Sequence, residues 1–324
     1  MNLRWRLAVV ASGILLAPAL WADDNCDLEF DGLATKIDWQ GGSGAYAGKY
    51  NPFDPLTYVQ AVSFRVENKK KHACSYFVDA EHSNSSGTYD RELKEGDDRL
   101  QYNLYIGASM SQVWMGAETS AGAVIQGFAE AGESKKSTST TQTYYFSIDP
   151  LQLTPDGKNY KDKVKLGLWR GSFDSSDRHR DDDEEVEFKA EVPKVVDVSL
   201  VDSGTDFVSG QLNRFVDFGL LSSQDTESFD LIIRYNKKYD LTFESRNDGL
   251  LVNSTSPEHS IFYEFLVGGQ IYDLAGNKPE KIKDQGNPGY EGDRHQLTVR
   301  IVDSIADKEQ GVYTDQITGV IKAK

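Results

Sequence analysis

The sequence predicts an all-β chain folded as two antiparallel β-sandwich domains, and three observations carry that expectation. Short runs of alternating apolar and polar residues recur in both halves, no long amphipathic helical pattern interrupts them, and one strand motif occurs twice. In the first copy Gly157 precedes Tyr160, Lys161 and Asp162, which open a run through Val164, Leu166 and Leu168. In the second, Gly311, Tyr313 and Asp315 open a run through Ile317 and Ile321. The two copies continue differently. After the first comes another alternating stretch, Val186, Phe188, Ala190 and Val192, spaced by Glu187, Lys189 and Glu191; after Ile321 only Lys322, Ala323 and Lys324 remain. The pattern predicts a first sandwich that closes itself with its own last strand, and a second that leaves an apolar edge for another chain to fill.

Taken in chain order, residues 1–22 read as a secretory signal. Arg4 and Arg6 form a basic start, Leu7 to Leu16 an apolar core, and Ala19 and Ala22 offer alternative cleavage points. Export places the two cysteines, Cys26 and Cys74, in an oxidising compartment where they are expected to pair, with two buried free thiols as the alternative. No later stretch reaches the roughly 18 consecutive apolar residues of a membrane span. The net charge is -16 and becomes two units more negative once Arg4 and Arg6 leave with the signal. Such a field repels nucleic acid and anionic membranes, so neither is an expected partner.

Candidate strands of the first half are Tyr58 to Val66, Cys74 to Val78, Leu100 to Ile106, Tyr144 to Ile148 and Val164 to Leu168. The polar stretch Ser172 to Glu185 is expected to be a solvated loop before the extra strand. Its acidic run, Asp181 to Glu184, lacks the central glycine and ligand spacing of a calcium loop, and no metal site is expected. Pro193 marks the domain boundary, which divides the mature chain into residues 23–193 and 194–324. In the second half Phe229, Leu231, Ile233 and Tyr235 alternate, as do Ile261, Tyr263, Phe265 and Val267, and then Leu297, Val299 and Ile301. Turn residues separate these runs, among them Arg246-Asn247-Asp248-Gly249.

The ordered motifs carry a resemblance. Leu100-Gln101-Tyr102-Asn103-Leu104-Tyr105, Trp114 and Tyr160-x-Asp162 resemble the spore coat protein U domain of archaic (Csu-type) chaperone-usher pili. Phe218-Gly219-Leu220, Tyr239-Asp240-Leu241, Ser245-Arg246-Asn247-x-Gly249 and Gly311-x-Tyr313-x-Asp315 resemble the pilin domain of the same family. Some pilin domains carry a disulfide there; the second half of this chain has no cysteine. The resemblance implies two immunoglobulin-like domains, the C-terminal one lacking its last strand. It further implies a two-domain tip adhesin with three partners: a periplasmic chaperone, an outer-membrane usher, and an adjacent pilin subunit that donates the missing strand.

An extended segment added to a sheet edge inserts alternate side chains into pockets. The expected groove walls are Val196, Val198 and Leu200 at the start of the second domain and Tyr313, Ile317 and Ile321 at its end; the alternative is ordinary core of a closed sandwich. Only Asp23, Asp24 and Asn25 lie between the expected cleavage point and Cys26, too little to donate a strand. The expectation is a subunit that accepts a strand but gives none, which belongs at a pilus tip on the cell surface.

Two glycine-rich stretches of the first domain carry apolar residues suited to contact an unidentified surface or host ligand: Tyr46, Tyr50 and Phe53, and then Met110, Val113, Met115, Val124, Ile125 and Phe128. The alternative for them is satellite core beneath long loops, and for Trp114 core is the expected place. His72, His82, His179, His259 and His295 fall in no catalytic motif, and the chain has no Gly-x-Ser-x-Gly elbow, P-loop or dinucleotide fingerprint. A non-catalytic adhesin without cofactor is the leading expectation. A structural cap, shaft or coat protein of the same secreted assembly is the alternative.

Overall fold

The structure is a computed structural model that describes residues 26–132, 137–275, 281–284 and 289–324. The expected signal and Asp23 to Asn25 lie outside the described residues. The alternating runs are strands, because each places its apolar side chains on one face of a pleat. Those of the first half are β1 (Leu28–Asp31), β2 (Lys36–Asp38), β3 (Gln60–Asn68), β4 (Cys74–Ser83), β5 (Arg91–Glu95), β6 (Asp98–Tyr105), β7 (Ile125–Ala129), β8 (Thr138–Ile148), β9 (Gly157–Arg170) and β10 (His179–Val192). Those of the second half are β11 (Val196–Asp202), β12 (Thr226–Tyr235), β13 (Tyr239–Ser245), β14 (Leu250–Asn253), β15 (Ser260–Val267), β16 (Gln270–Tyr272), β17 (Ile282–Lys283), β18 (Asp293–Ile301), β19 (Tyr313–Thr314) and β20 (Ile317–Ala323). Among the described residues the only helical segments are two short 3-10 turns, so the chain is an all-β protein of two sandwich-like bodies.

The first body is one wrapped sheet in the order β1-β3-β8-β6-β5-β9-β10-β2, with β4 paired to both β7 and β9. Its core includes Phe64, Val66, Leu100, Leu104, Phe146, Leu166 and Phe188, with Trp114 lying parallel to Phe64 at 6.3 Å. Cys26 and Cys74 form a disulfide with a Cα separation of 6.3 Å across 48 residues. Replacing both by serine should cost about 4 kcal/mol if loop entropy governs. A urea titration of the paired and unpaired forms measures it.

The second body has two layers: β11-β12-β18-β15-β14-β19 with β16 on β15, and β17-β13-β20. Phe243, Phe265 and Tyr272 pack edge to face between them, with Phe243 and Phe265 at 4.9 Å. β10 ends at Val192 and β11 begins at Val196, so Pro193 falls in a three-residue link. The Asn236 amide spans that link, accepting from Val195 N at 2.8 Å and donating to Pro193 O at 2.9 Å.

The paired Tyr-x-Asp motif has one structural role in both bodies. Asp162 is buried and accepts from Tyr102 OH at 2.7 Å and Ser85 N at 2.9 Å. Asp315 accepts from Ser245 Oγ at 2.6 Å, Tyr263 OH at 2.5 Å and Asn247 N at 3.1 Å. Each carboxylate ties the opening of its run to a tyrosine of a strand with which that run does not pair.

The stretch Asp181 to Glu184 is strand, not loop. It belongs to β10, where Asp182, Asp183 and Glu184 pair with Leu168, Gly167 and Leu166 of β9. Its charges find partners there: Lys165 on Asp183, Lys163 on Glu185, and Asp182 Oδ2 accepting from Phe30 N at 2.9 Å. Cross-strand opposite charges override the low strand propensity of acidic residues.

In the second body His295 is buried, 2.8 Å from Tyr239 OH, and burial holds its imidazole below the ordinary histidine range although Asp293 opposes this. The unfolded chain therefore binds a proton near pH 6.5 that the folded chain refuses, so stability rises with pH through that window and falls on acidification. Below about pH 6.5 the unfolding free energy of the second body should drop with a slope of up to about 1.4 kcal/mol per pH unit from this group, and its thermal midpoint should fall with it. Scans of wild type and His295→Gln between pH 7 and 5 should show a shallower slope in the variant.

Candidate functional site

The two bodies differ in how they end. In the first, β9 gives one edge to β10 along almost its whole length, from Gly157↔Val192 to Arg170↔His179. Val186, Phe188, Ala190 and Val192 of β10 are buried in the core. In the second, β20 corresponds to β9 in motif order and pairs with β13 from Tyr239↔Ala323 to Ser245↔Ile317. Among the described residues no strand pairs with the other edge of β20, and β11 likewise pairs only with β12. The layers of the second body are thus unjoined where β11 and β20 stand.

The side chains beside that opening match the backbone. Val196, Val198, Leu200, Tyr313, Ile317 and Ile321 all pack on the second core, and all remain half-buried. The corresponding apolar residues of β9, Val164, Leu166 and Leu168, are fully covered. Gly319, between Ile317 and Ile321, leaves a dent in which an added Cβ would meet the Phe243 ring at 3.3 Å. The six sequence-predicted groove residues lie on three strands, Val196, Val198 and Leu200 on β11, Tyr313 on β19 and Ile317 and Ile321 on β20, all against the second core.

One part of this surface escaped sequence reasoning. Residues 203–225 cross the same body without forming a strand, anchored by Leu200 N to Gln211 O at 2.8 Å and Ser199 Oγ to Val208 O at 2.9 Å. Val216, Phe218 and Leu221 pack on the core, while Phe215 and Leu220 are 86% and 96% exposed. The Phe218-Gly219-Leu220 motif was visible, but its flanking apolar residues alternate too irregularly to mark a strand.

The predicted contact residues of the first body divide. Tyr50, Phe53, Val124 and Ile125 are buried, which corrects the expectation that they face outward. Tyr50 OH donates to Asp149 O at 2.9 Å and accepts from Gln152 N at 2.7 Å. Phe53 sits edge-on to Tyr290 of the second body at 6.4 Å. Val124 joins Phe77 and Ala117 in a small core on the outer face of the sheet, and Ile125 joins the main core. The loops fold back because burying these side chains gains about 1.5 to 3 kcal/mol each. Tyr46, Met110, Val113 and Met115 are half-buried and Phe128 is exposed.

Among the described residues no group of three or more His, Cys, Asp and Glu is placed to hold a metal ion. Among them, too, no helix is long and apolar enough to cross a membrane.

A search of curated proteins finds no match to this chain. Among solved structures, similarity extends to the CsuC-CsuE chaperone-tip adhesion subunit complex of Acinetobacter baumannii Csu pili, with 12% identity, 77% of this chain and 84% of that chain covered, and a TM-score of 0.42. It extends also to the CupB6 tip adhesin of Pseudomonas aeruginosa, with 13% identity, 91% and 94% covered, and a TM-score of 0.37. A third is CfaE, the adhesive subunit of CFA/I fimbria of enterotoxigenic Escherichia coli, with 13% identity, 92% and 81% covered, and a TM-score of 0.30. The Spore Coat Protein U domain model matches residues 30–167 and stops within β9, before β10 begins. The match lies within the first body.

Proposed function

We propose that this protein is the tip adhesin of an archaic chaperone-usher pilus, serving attachment and biofilm formation. Its second body takes a donor strand first from a periplasmic chaperone and then, at the outer-membrane usher, from an adjacent pilin subunit. The observation that carries this reading is the unequal completion of the two sandwiches. The family domain matched in the first body ends at residue 167, and β10 adds a closing strand beyond it. The second body has the same Tyr-x-Asp opening and no such strand beside β20 among the described residues.

A free sheet edge above half-buried apolar side chains is an aggregation hazard until covered. Covering it with about five apolar side chains gains on the order of 10 kcal/mol before ordering costs, which suits a joint that must persist. The segment preceding β11 is held by the closed first body through residues 193–195, so the second body has no free arm in front of it to give. That favours the end of a fibre over a link within it.

The exposed or half-buried residues Tyr46, Met110, Val113, Met115 and Phe128 form the remaining apolar contact set. The burial of Tyr50, Phe53, Val124 and Ile125 favours the second reading, a structural cap without adhesive loops. Changing Met110, Met115 and Phe128 together to serine separates the two. The adhesin reading expects severalfold weaker attachment to an apolar surface at unchanged pilus number; a cap expects no change.

A further inference from the structure

The outer face of the first body holds a cleft of about 620 Å³ away from the open edge, bordered on one side by Ala117 and Glu118 of the second glycine-rich stretch. β9 runs beneath it, carrying Gly167 and Trp169 on its outer face. Asp79 of β4 stands opposite Gly167, and Phe77 of β4 and Arg180 of β10 stand on either side of Trp169. A Cβ at position 167 would lie 2.4 Å from Asp79 Oδ1 and 2.7 Å from Arg180 Nη2, so the carboxylate and guanidinium converge over β9 only because that residue is glycine.

Both flanking strands break register at this place. β10 shifts between Arg180 and Asp182, and β4 shifts between Ala80 and Ser83. Such irregularities re-aim side chains and gather beside functional sites. Here the displaced residues Glu81 and His82, with Arg180, line the cleft.

The walls pair a flat ring with mixed hydrogen-bonding groups. Trp169 stacks on Phe77 at 5.6 Å with an interplanar angle of 6°, and Arg178 lies over both rings. Asp79 is buried and accepts from Ala117 N at 2.8 Å and Trp169 Nε1 at 3.1 Å, which leaves acceptor capacity on each oxygen. Burial pushes its carboxyl above the usual range. Arg180 Nη1 donates to Glu81 Oε1 at 2.7 Å, whereas its Nε and Nη2 are buried and make no hydrogen bond. Leaving such donors and acceptors unsatisfied costs about 1 to 3 kcal/mol each.

We propose that this cleft binds a neutral saccharide of one or two sugar units. Vicinal hydroxyls each donate and accept, which matches acceptors (Asp79, Glu81) set beside donors (Arg180, Asn84). A sugar ring also has an apolar face to lay against the tryptophan edge. An anionic ligand meets Asp79, Glu81 and Glu118 against only Arg178 and Arg180, and an apolar ligand leaves the buried polar groups unpaired. The volume falls in the ordinary range of small-molecule sites. The inference rests on the adhesin reading only for its biological role, a glycan as the attachment target.

The test is saturation-transfer NMR on the full-length chain with methyl glycosides of mannose, galactose, glucose and N-acetylglucosamine, and with N-acetylneuraminic acid as the anionic probe. The expected result is millimolar binding of at least one neutral glycoside, weakened about tenfold or more in Arg180→Gln or in Asn84→Ala. Asn84 is exposed on a turn, so its variant stays folded and remains informative if Arg180→Gln does not. No transfer to any neutral glycoside, binding to N-acetylneuraminic acid alone, or binding unaffected in both variants overturns the proposal. Each of these outcomes leaves strand acceptance by the second body untouched, since that is read separately through chaperone retention.

Discussion

The double variant Val198→Asp with Ile321→Asp is expected to lose the chaperone complex, with retention on a tagged chaperone falling by more than about a thousandfold. Both side chains are half-buried on the second core and stand on the two strand edges that lack a paired strand among the described residues. A strand laid between those edges would seal each carboxylate away from water. Burying an unpaired carboxylate costs several kcal/mol, more than one inserted apolar side chain returns. The free protein tolerates the change better because both positions still reach solvent. Thr318→Asp supplies the control: Thr318 is already exposed, so retention should stay near wild type.

Arg91→Leu should destabilise the first body by about 4 kcal/mol, measured by chemical denaturation. Arg91 is fully buried at the head of β5, and burial depresses its guanidinium despite the nearby Tyr102, Tyr89 and Asp162. Nη2 donates to Ala80 O at 3.3 Å, Glu81 O at 3.1 Å and Trp114 O at 2.9 Å; Nη1 donates to Asn103 Oδ1 at 2.7 Å. Leucine fills much of the volume but removes the buried donors of three carbonyls and leaves the Asn103 amide oxygen with Leu104 N alone. It also leaves Asp162 without its nearest buried positive charge. The carbonyls of Ala80 and Glu81 belong to the irregular part of β4, so the same variant should loosen the cleft above it. Arg91→Lys should rescue little, since one ammonium cannot reach partners spread over three segments.

Much of the architecture was legible because period-two alternation survives wherever one face of a strand is buried. Phe229 to Tyr235, Ile261 to Val267 and Leu297 to Ile301 each read directly as strands, and so did the run from Val186 to Val192. The acidic start of β10 was not legible, since Asp181 to Glu184 have poor strand propensity and their partners on β9 and β1 are remote in sequence. The tyrosine roles were hidden for the same reason. Nothing local shows that Asp162 and Asp315 each bind a tyrosine from another strand. The loop residues failed in a different way. Apolar residues among glycines look exposed, yet Tyr50 and Val124 found cover against Asp149 and Phe77, segments far along the chain. The cleft around Gly167 left no motif, because it is built from two register shifts that only strand pairing reveals.

Amide hydrogen exchange across Ile317 to Ala323 and Val196 to Asp202, with and without the periplasmic chaperone, bears most directly on an open, strand-accepting edge. In the free chain the amides of these strands that neither β13, β12 nor another acceptor bonds should exchange rapidly, Leu200 N being held by Gln211 O, while β10 stays protected throughout. On addition of the chaperone the exposed amides of β20 and β11 should become protected together. Equal protection in the free chain, or none gained on complex formation, would contradict the open edge.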